Sequence, residues 1–294
     1  MSSDPVISSS APSTKELDVS VVIANWNGES LLGDCIDSLY RETKNVSFEI
    51  IVCDDRSPDR SVEFLRERYP HVQVHVNAVN SGFARTNNAA LPFIRGRYTL
   101  LLNNDTILEN DALSALVQTL DQCPKAGVCG GRLVDRGEGR QHSFGAFPGI
   151  RTEIGRALGF GRDGLFRRWP NLAQYPAKGE VTQEVGYIVG ADLMIRTDLA
   201  RQLGLFDEKF EAYFEDTDLC FRVHRAGYQV LFTSRARIIH LIGQSYGNEA
   251  VAPSERKLRL METGFVRFCR KNYGPVHVWL IFAVRSGALR LKIA

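Results

Sequence analysis

Trp26, Asp55 and Asp105 each follow closely on a short apolar run, and Glu215-Asp216 stand in a dense cluster of acids and aromatics farther along. The runs, Val19–Ala24, Phe48–Cys53 and Tyr98–Leu102, have the length and continuity of strands buried in a sheet. In open α/β sheets, ligands bind just past the carboxyl ends of the strands. Side chains of these types have definite chemistry to offer there. An indole ring stacks on a base, one carboxylate accepts from an imide N–H, and another holds a divalent cation against a diphosphate. Each has a plainer reading as well: Asn103-Asn104-Asp105 and Asp54-Asp55 suit turns, and Glu215-Asp-Thr-Asp218 suits an acid-rich first helical turn. Their joint placement at one edge of a single sheet is what favours the chemical reading.

The elements that must hold them can be read in order. After Val19–Ala24, the residues Leu31, Leu32, Cys35, Ile36 and Leu39 recur at helical spacing. After Phe48–Cys53, Ser57 and Pro58 read as N-cap and first residue of a helix running to Tyr69. Val72–Val76 is a third strand. Asn80–Ala90 reads as a loop entering a helix, with Pro92 close to its end. After Tyr98–Leu102, Asn110 and Asp111 open a helix whose Leu113, Leu116, Val117 and Leu120 form one stripe, and Ala126–Gly130 is a fifth strand. This alternation predicts a parallel sheet with right-handed crossovers.

Residues 132–180 are rich in Gly and Arg, lack periodicity, and are expected to be irregular structure lining or covering a site. Tyr187–Ile195 reads as one strand whose Gly190-Ala191-Asp192 centre permits close backbone approach. A short helix is expected at Asp198–Leu203, a glycine C-cap at Gly227, and strands at Tyr228–Phe232 and Ala236–His240.

Composition narrows the class. The 294 residues are 44% hydrophobic, and 36 Lys and Arg against 34 Asp and Glu give +2, which does not mark a nucleic-acid binder. Six cysteines with no Cys-x-x-Cys pair read as reduced core thiols in a cytoplasmic setting. Residues 1–17 are expected to be a disordered tail, and 254–294 a helical region following a domain at 18–253. In the C-terminal region Leu258, Met261, Phe265 and Phe268 form a helical stripe, which packing explains. Gly274–Val284, eleven residues with His277 inside, leads to Arg285, Arg290 and Lys292 and is too short to span a bilayer. It fits either a helix packed on the domain or one resting peripherally on an anionic membrane.

A dinucleotide-binding unit would need Gly-x-Gly-x-x-Gly after the first strand, where this chain has Asn25-Trp26-Asn27-Gly28. Gly159-Phe-Gly-Arg-Asp-Gly164 matches the letters with no strand before it, and a phosphate-cradling Gly-Lys-Ser/Thr loop is missing.

Several ordered segments between Asp18 and Tyr246 carry a resemblance. They are Val21-Val-Ile-Ala-Asn-Trp-Asn27, Ile51-Val-Cys-Asp-Asp-Arg-Ser57, Asn80-Ser-Gly-Phe83, Leu100-Leu-Leu-Asn-Asn-Asp105, Gly204-Leu-Phe-Asp-Glu208 and Phe214-Glu-Asp-Thr-Asp-Leu-Cys-Phe-Arg222. In this order and spacing the chain resembles the inverting glycosyltransferases of family two, in their rhamnosyltransferase-like branch. The resemblance implies an α/β fold of the nucleotide-sugar-binding A-type, Rossmann-like, with a mixed, mainly parallel sheet flanked by helices and a C-terminal helical extension. It implies that Ala24 and Trp26 flank the base, Asp55 binds its imide N–H, and Arg85 reaches the base or the diphosphate. Asn104 takes the ribose-contacting place of the Asp-x-Asp motif, where it lacks an aspartate's charge, and Asp105 takes the metal-binding place. His240 matches a metal-binding histidine, and the metal would be Mn²⁺ or Mg²⁺. Asp216 matches the catalytic base, Glu215 contacts the acceptor or holds Asp216, and Asp218 is a helix-surface or structural acid.

The expected activity is therefore metal-dependent, inverting transfer of a sugar from a dTDP- or UDP-sugar, dTDP-rhamnose among them, to a glycan or lipid-linked acceptor. Its place would be the cytoplasm or the cytoplasmic face of a membrane. The Gln-x-x-Arg-Trp signature of processive synthases is missing, since Arg167-Arg168-Trp169 lacks the glutamine, so one or a few sugars would be added. Two rivals stand: a sugar nucleotidyltransferase, against which the absence of a basic glycine-rich loop counts, and an inactive nucleotide-sugar-binding module, which Asn104 keeps open.

Overall fold

Four strands, β1 (Val19–Asn25), β2 (Phe48–Asp54), β3 (Gln73–Val76) and β4 (Tyr98–Asn103), lie parallel in the spatial order β3-β2-β1-β4 in the computed structural model. The structure describes residues 17–137, 139–157, 179–241 and 254–293. Residues 1–16, the Gly159–Gly164 stretch, Arg167–Trp169 and 242–253 lie outside the described residues.

The strands read as continuous apolar runs because helices cover both faces of the sheet. One face packs on α1 (Glu29–Glu42) and α4 (Ala112–Gln122), with Leu32, Ile36, Leu113 and Leu116 against Val21, Ile23, Leu100 and Leu102. The other face, with Val22, Ile51 and Leu101, meets α3 (Phe83–Asn88), α6 (Thr197–Leu203) and α7 (Glu215–Arg225). The short α2 (Ser61–Arg68) completes the crossover between β2 and β3. Register sets the functional edge. Ala24 is level with Cys53 and Asn103, so Asn25, Asp54 and Asn104 emerge together at the carboxyl ends.

Beyond β4 the sheet becomes mixed. The short β5 (Thr106–Leu108) leaves directly after Asp105 and pairs antiparallel with the last strand, β11 (Gln229–His240). β6 (Ala126–Val134) runs parallel to β11, and β10 (Asp192–Arg196) lies antiparallel between β4 and β6. A two-stranded ribbon, β7 (Phe144–Gly145) with β9 (Tyr187–Ile188), and β8 (Thr182–Glu184) complete the strands among the described residues. Two helices, α8 (Glu255–Asn272) and α9 (Pro275–Ile293), follow, and α5 (Ile150–Ala157) packs on α9.

Local differences from the sequence reading have identifiable causes. The second helix starts at Ser61, not Ser57, because Ser57 donates its N–H and hydroxyl to Asp54 and accepts from Asn27 N–H, which commits it to the loop. Tyr187–Ile195 is two strands separated by a turn at Gly190-Ala191. The two stretches at 228–240 are one strand, irregular between Phe232 and Arg237, where Leu231–Thr233 also pair with β8. The segment after Arg132 is more regular than expected, since it holds the end of β6, then β7 and α5. Asp111 caps α4, accepting from Ser114 N–H, and Gly227 takes φ 89° directly after α7, both as expected. All six cysteines are free, and burial pushes Cys35 and Cys53 up to about 12.

Candidate functional site

The site is assembled from the ends of β1, β2 and β4, the turn between β9 and β10, and the start of α7. At its first corner Asp55 is 4% exposed, and both carboxylate oxygens accept hydrogen bonds. Oδ1 accepts from Asn77 Nδ2, Ser81 N–H and Ser81 hydroxyl, and Oδ2 accepts from Gly82 N–H at 2.8 Å. Burial alone would raise its pKa, but these donors outweigh it and hold the acid below its ordinary value. The Asn80 amide lies between Asp55 and Trp26, accepting from the indole N–H at 2.9 Å. Trp26 itself is 38% exposed, its ring offering a platform beside Asp55, while Ala24 lies partly buried at the end of β1.

The second corner follows β4. Asn104, 5% exposed, donates its Nδ2 to Asn25 Oδ1 at 2.8 Å. Asn25 in turn donates to Asp54 Oδ2 at 2.7 Å, so an amide-to-carboxylate relay ties the ends of β4, β1 and β2. Gly28 is required beneath it, because a Cβ there would collide with Asn25 Oδ1 and Asn104 Nδ2. Asp105 is 6% exposed, and pairing of β5 with β11 sets Thr106 level with His240. Asp105 Oδ1 and His240 Nε2 consequently stand 3.3 Å apart. One carboxylate oxygen and one imidazole nitrogen fit two positions in the shell of a divalent cation. Among the described residues no group of three or more His, Cys, Asp or Glu converges, so the remaining positions would fall to a diphosphate and water.

The third corner is acidic. Tyr213 and Phe214 both take positive φ, 65° and 72°, a conformation that non-glycine residues hold only when their surroundings impose it. Here α8 imposes it. A Cβ on Gly264 would lie 2.7 Å from Tyr213 O, so the helix backbone rests directly on this turn, and Phe214 packs on Phe265 and Phe268. The turn delivers Glu215 and Asp216 to the first turn of α7. Asp216 accepts from Gly190 N–H at 3.0 Å and from Thr217 N–H at 2.5 Å. Burial raises its pKa and these bonds only partly offset that. Glu215, 8% exposed, has Oε2 without a hydrogen-bond partner; burial, then the adjacent Asp216 charge, pushes it up to about 8. Burial and mutual proximity thus raise both carboxyls of the pair, which titrate together. Asp218 is fully buried, bound to Arg222 and Lys271 at 2.8 Å each, so it is a structural acid and not a surface one.

The corners are joined. Gly82 binds Asp55, and a Cβ on Gly190 would lie 3.8 Å from Phe83, the next residue, and 3.5 Å from Asp216 Cβ. Ala191 O accepts from Asn103 N–H at 3.1 Å, fixing the same turn to β4. Arg85 instead points to Glu208, 3.3 Å away, with both side chains about half exposed. Sequence reasoning missed Asn25, Asn77 and Gly264. For Asn25 and Asn77 the available signal was an amide residue where a strand ends, and for Gly264 a glycine within a helical pattern; neither reveals the partner.

Known proteins resemble this chain in sequence and in fold. The family model of glycosyl transferase family 2 matches residues 20–204, and the chain belongs to that family. The N-acetylglucosaminyl-diphospho-decaprenol L-rhamnosyltransferase of Mycobacterium tuberculosis is 24% identical over 217 residues, covering 68% of each chain. An uncharacterized protein of Sinorhizobium fredii is 26% identical over 258 residues, 82% of this chain; the match spans only 26% of that relative's length. Among solved structures, a mannosyltransferase from Pyrobaculum calidifontis in complex with GDP-Man and Mn²⁺ superposes with a TM-score of 0.60 at 14% identity. That match covers 95% of this chain and 76% of the other. GalNAc-T7 with UDP, GalNAc and Mn²⁺ gives 0.62 at 16% identity, over 87% of this chain and 48% of the other. The fold is that of the A-type glycosyltransferases.

Proposed function

We propose that this chain transfers a sugar, with inversion, from a nucleoside-diphosphate donor to an acceptor hydroxyl. The observation that carries the reading is the acidic pair at the start of α7, in which both carboxyls are raised and Asp216 is hydrogen-bonded into place beside the Gly190 turn. Asp216 takes the proton of the acceptor hydroxyl as its oxygen attacks the anomeric carbon, and Glu215 holds Asp216 or contacts the acceptor. Ala24 and Trp26 flank the base, and Asp55 binds its imide N–H. Asn104 meets the ribose, and Arg85 is released from Glu208 to reach the diphosphate. Asp105 and His240 hold a divalent cation, Mn²⁺ or Mg²⁺. When bound, the cation neutralises the charge that develops on the leaving nucleoside diphosphate.

The donor is a dTDP- or UDP-sugar, in keeping with the rhamnosyltransferase relative. The acceptor is a glycan or lipid-linked saccharide, reached in the cytoplasm or from the cytoplasmic face of a membrane that the C-terminus touches. Transfer is non-processive. A thermal-shift series with UDP, dTDP and GDP, each with and without Mn²⁺, tests the reading. Stabilisation by dTDP or UDP that grows with Mn²⁺ is expected, and no response to any of the three would overturn it.

A further inference from the structure

The formal charge of +2 conceals a division along the chain. Residues 254–294 contain nine Lys and Arg and two Glu, a net +7, which leaves the first 253 residues with 27 basic and 32 acidic side chains, a net of −5. The cationic part also carries the most exposed apolar side chains in α8 and α9. On α9, Val276, Trp279 and Leu280 share one face at three- and four-residue spacing and are 73%, 68% and 38% exposed. On α8, Leu258 and Met261 are 50% and 41% exposed, against the expectation that they would pack with Phe265 and Phe268, which are buried. Lys271 and Arg285 are held in ion pairs with Asp207, Asp218, Glu153 and Glu262. Arg256, Arg267 and Arg270 are exposed, and among the described residues none has an ion-pair partner.

We propose that α8 and α9 form a docking surface for an anionic lipid bilayer. Exposed apolar side chains, a tryptophan among them, flanked by cations suit a helix lying in the headgroup region of a bilayer rather than crossing it. No helix among the described residues is long and apolar enough to cross. A second copy of this chain is a poor occupant, because two surfaces of the same sign repel.

The fold ties this surface to the acidic corner. The backbone at Gly264 on α8 rests on Tyr213, one residue before the turn into Glu215 and Asp216, and Lys271 of the same helix binds Asp218. One helix, about 10–12 Å across, thus lies between the outer face of α8 and that turn. Docking sets the acidic pair within reach of the hydroxyls of a saccharide carried on a membrane lipid. This last step rests on the glycosyltransferase reading of the site.

The test is flotation of the full chain with phosphatidylcholine vesicles, with and without about a third phosphatidylglycerol. Binding to the anionic vesicles alone, reversed by high salt, is expected. Replacing Val276, Trp279 and Leu280 together by Ser should weaken it roughly tenfold or more. Should that variant not fold by circular dichroism, joint replacement of Arg256, Arg267 and Arg270 by Ala serves instead, with the same loss expected. Failure of the wild-type chain to float with anionic vesicles, equal binding to neutral ones, or full binding by a folded variant would each overturn the proposal. So would sedimentation showing that the same substitutions dissolve a dimer without affecting flotation. Nucleotide thermal shifts on the same samples keep the two readings apart. Lost flotation with intact dTDP or UDP binding concerns the surface, whereas intact flotation without nucleotide binding concerns the site.

Discussion

Gly190 donates its backbone N–H to Asp216 Oδ2 at 3.0 Å, from a turn whose next residue, Ala191, accepts from Asn103 at the end of β4. Asp216 is thereby located by main chain on one oxygen, and by the N–H and hydroxyl of Thr217 on the other. Asp216→Asn keeps the shape and can still accept from Gly190, but cannot take a proton. Transfer should fall by roughly a hundred- to ten-thousandfold, with nucleotide affinity in calorimetry unchanged. Near-normal turnover would remove Asp216 as the base.

Glu215 gives the protein a dependence on pH whose sign can be worked out. Its folded pKa, about 8, lies above the ordinary 4.5, so between these values the folded state holds more protons than the unfolded one. The stability linked to Glu215 is fully present below about 4.5 and is lost as pH rises toward 8. Glu215→Gln cannot ionise. Its melting temperature relative to wild type should climb across this window, by an amount corresponding to a few kcal/mol at most. A constant difference from pH 5 to pH 8 would show that Glu215 is not held protonated.

Asp105 is expected to matter for metal-dependent binding only. Asp105→Ala should weaken nucleoside-diphosphate binding in the presence of Mn²⁺ by roughly tenfold or more, while leaving the weaker metal-free binding as it was. Calorimetry with and without Mn²⁺ separates the two, and unchanged metal dependence counts against the assignment.

Asn104→Asp would restore the acid of the Asp-x-Asp motif, yet here it should destabilise. The Asn104 amide donates to Asn25 Oδ1, and Asn25 cannot turn to compensate because its own Nδ2 is bound to Asp54. A carboxylate at 104 would bring two buried acceptors together, at a cost of roughly 1–3 kcal/mol. Denaturant titration would detect it. Stability equal to wild type would mean that the relay from Asn104 to Asp54 tolerates a missing donor.

Much of this arrangement was legible in the sequence for physical reasons that can be named. Strands covered on both faces must be apolar throughout, so β1, β2 and β4 and the acids at their ends were visible as runs and their stops. Asp111 and Gly227 mark helix ends by chemistry that acts within a few residues. What was hidden depends on partners distant in sequence. Ser57 looks like an N-cap until Asn27 and Asp54 are seen to engage it. The break in Tyr187–Ile195 is fixed by Asp216 and Asn103, and Leu258 and Met261 share the spacing of Phe265 and Phe268 while only the latter pair is buried. Spacing gives the face of a helix; it does not say what lies opposite.

The separation of charge along the chain has an effect before any contact is made. A body with +7 on its last 41 residues and −5 on the rest is an electric dipole, and its small net charge says little about how it moves near a charged surface. Within a Debye length of an anionic layer, about 8–10 Å at physiological salt, such a body experiences a torque as well as an attraction. The molecule would arrive already turned with its C-terminal helices foremost, so productive orientation is selected during approach, and that selection weakens as salt is added.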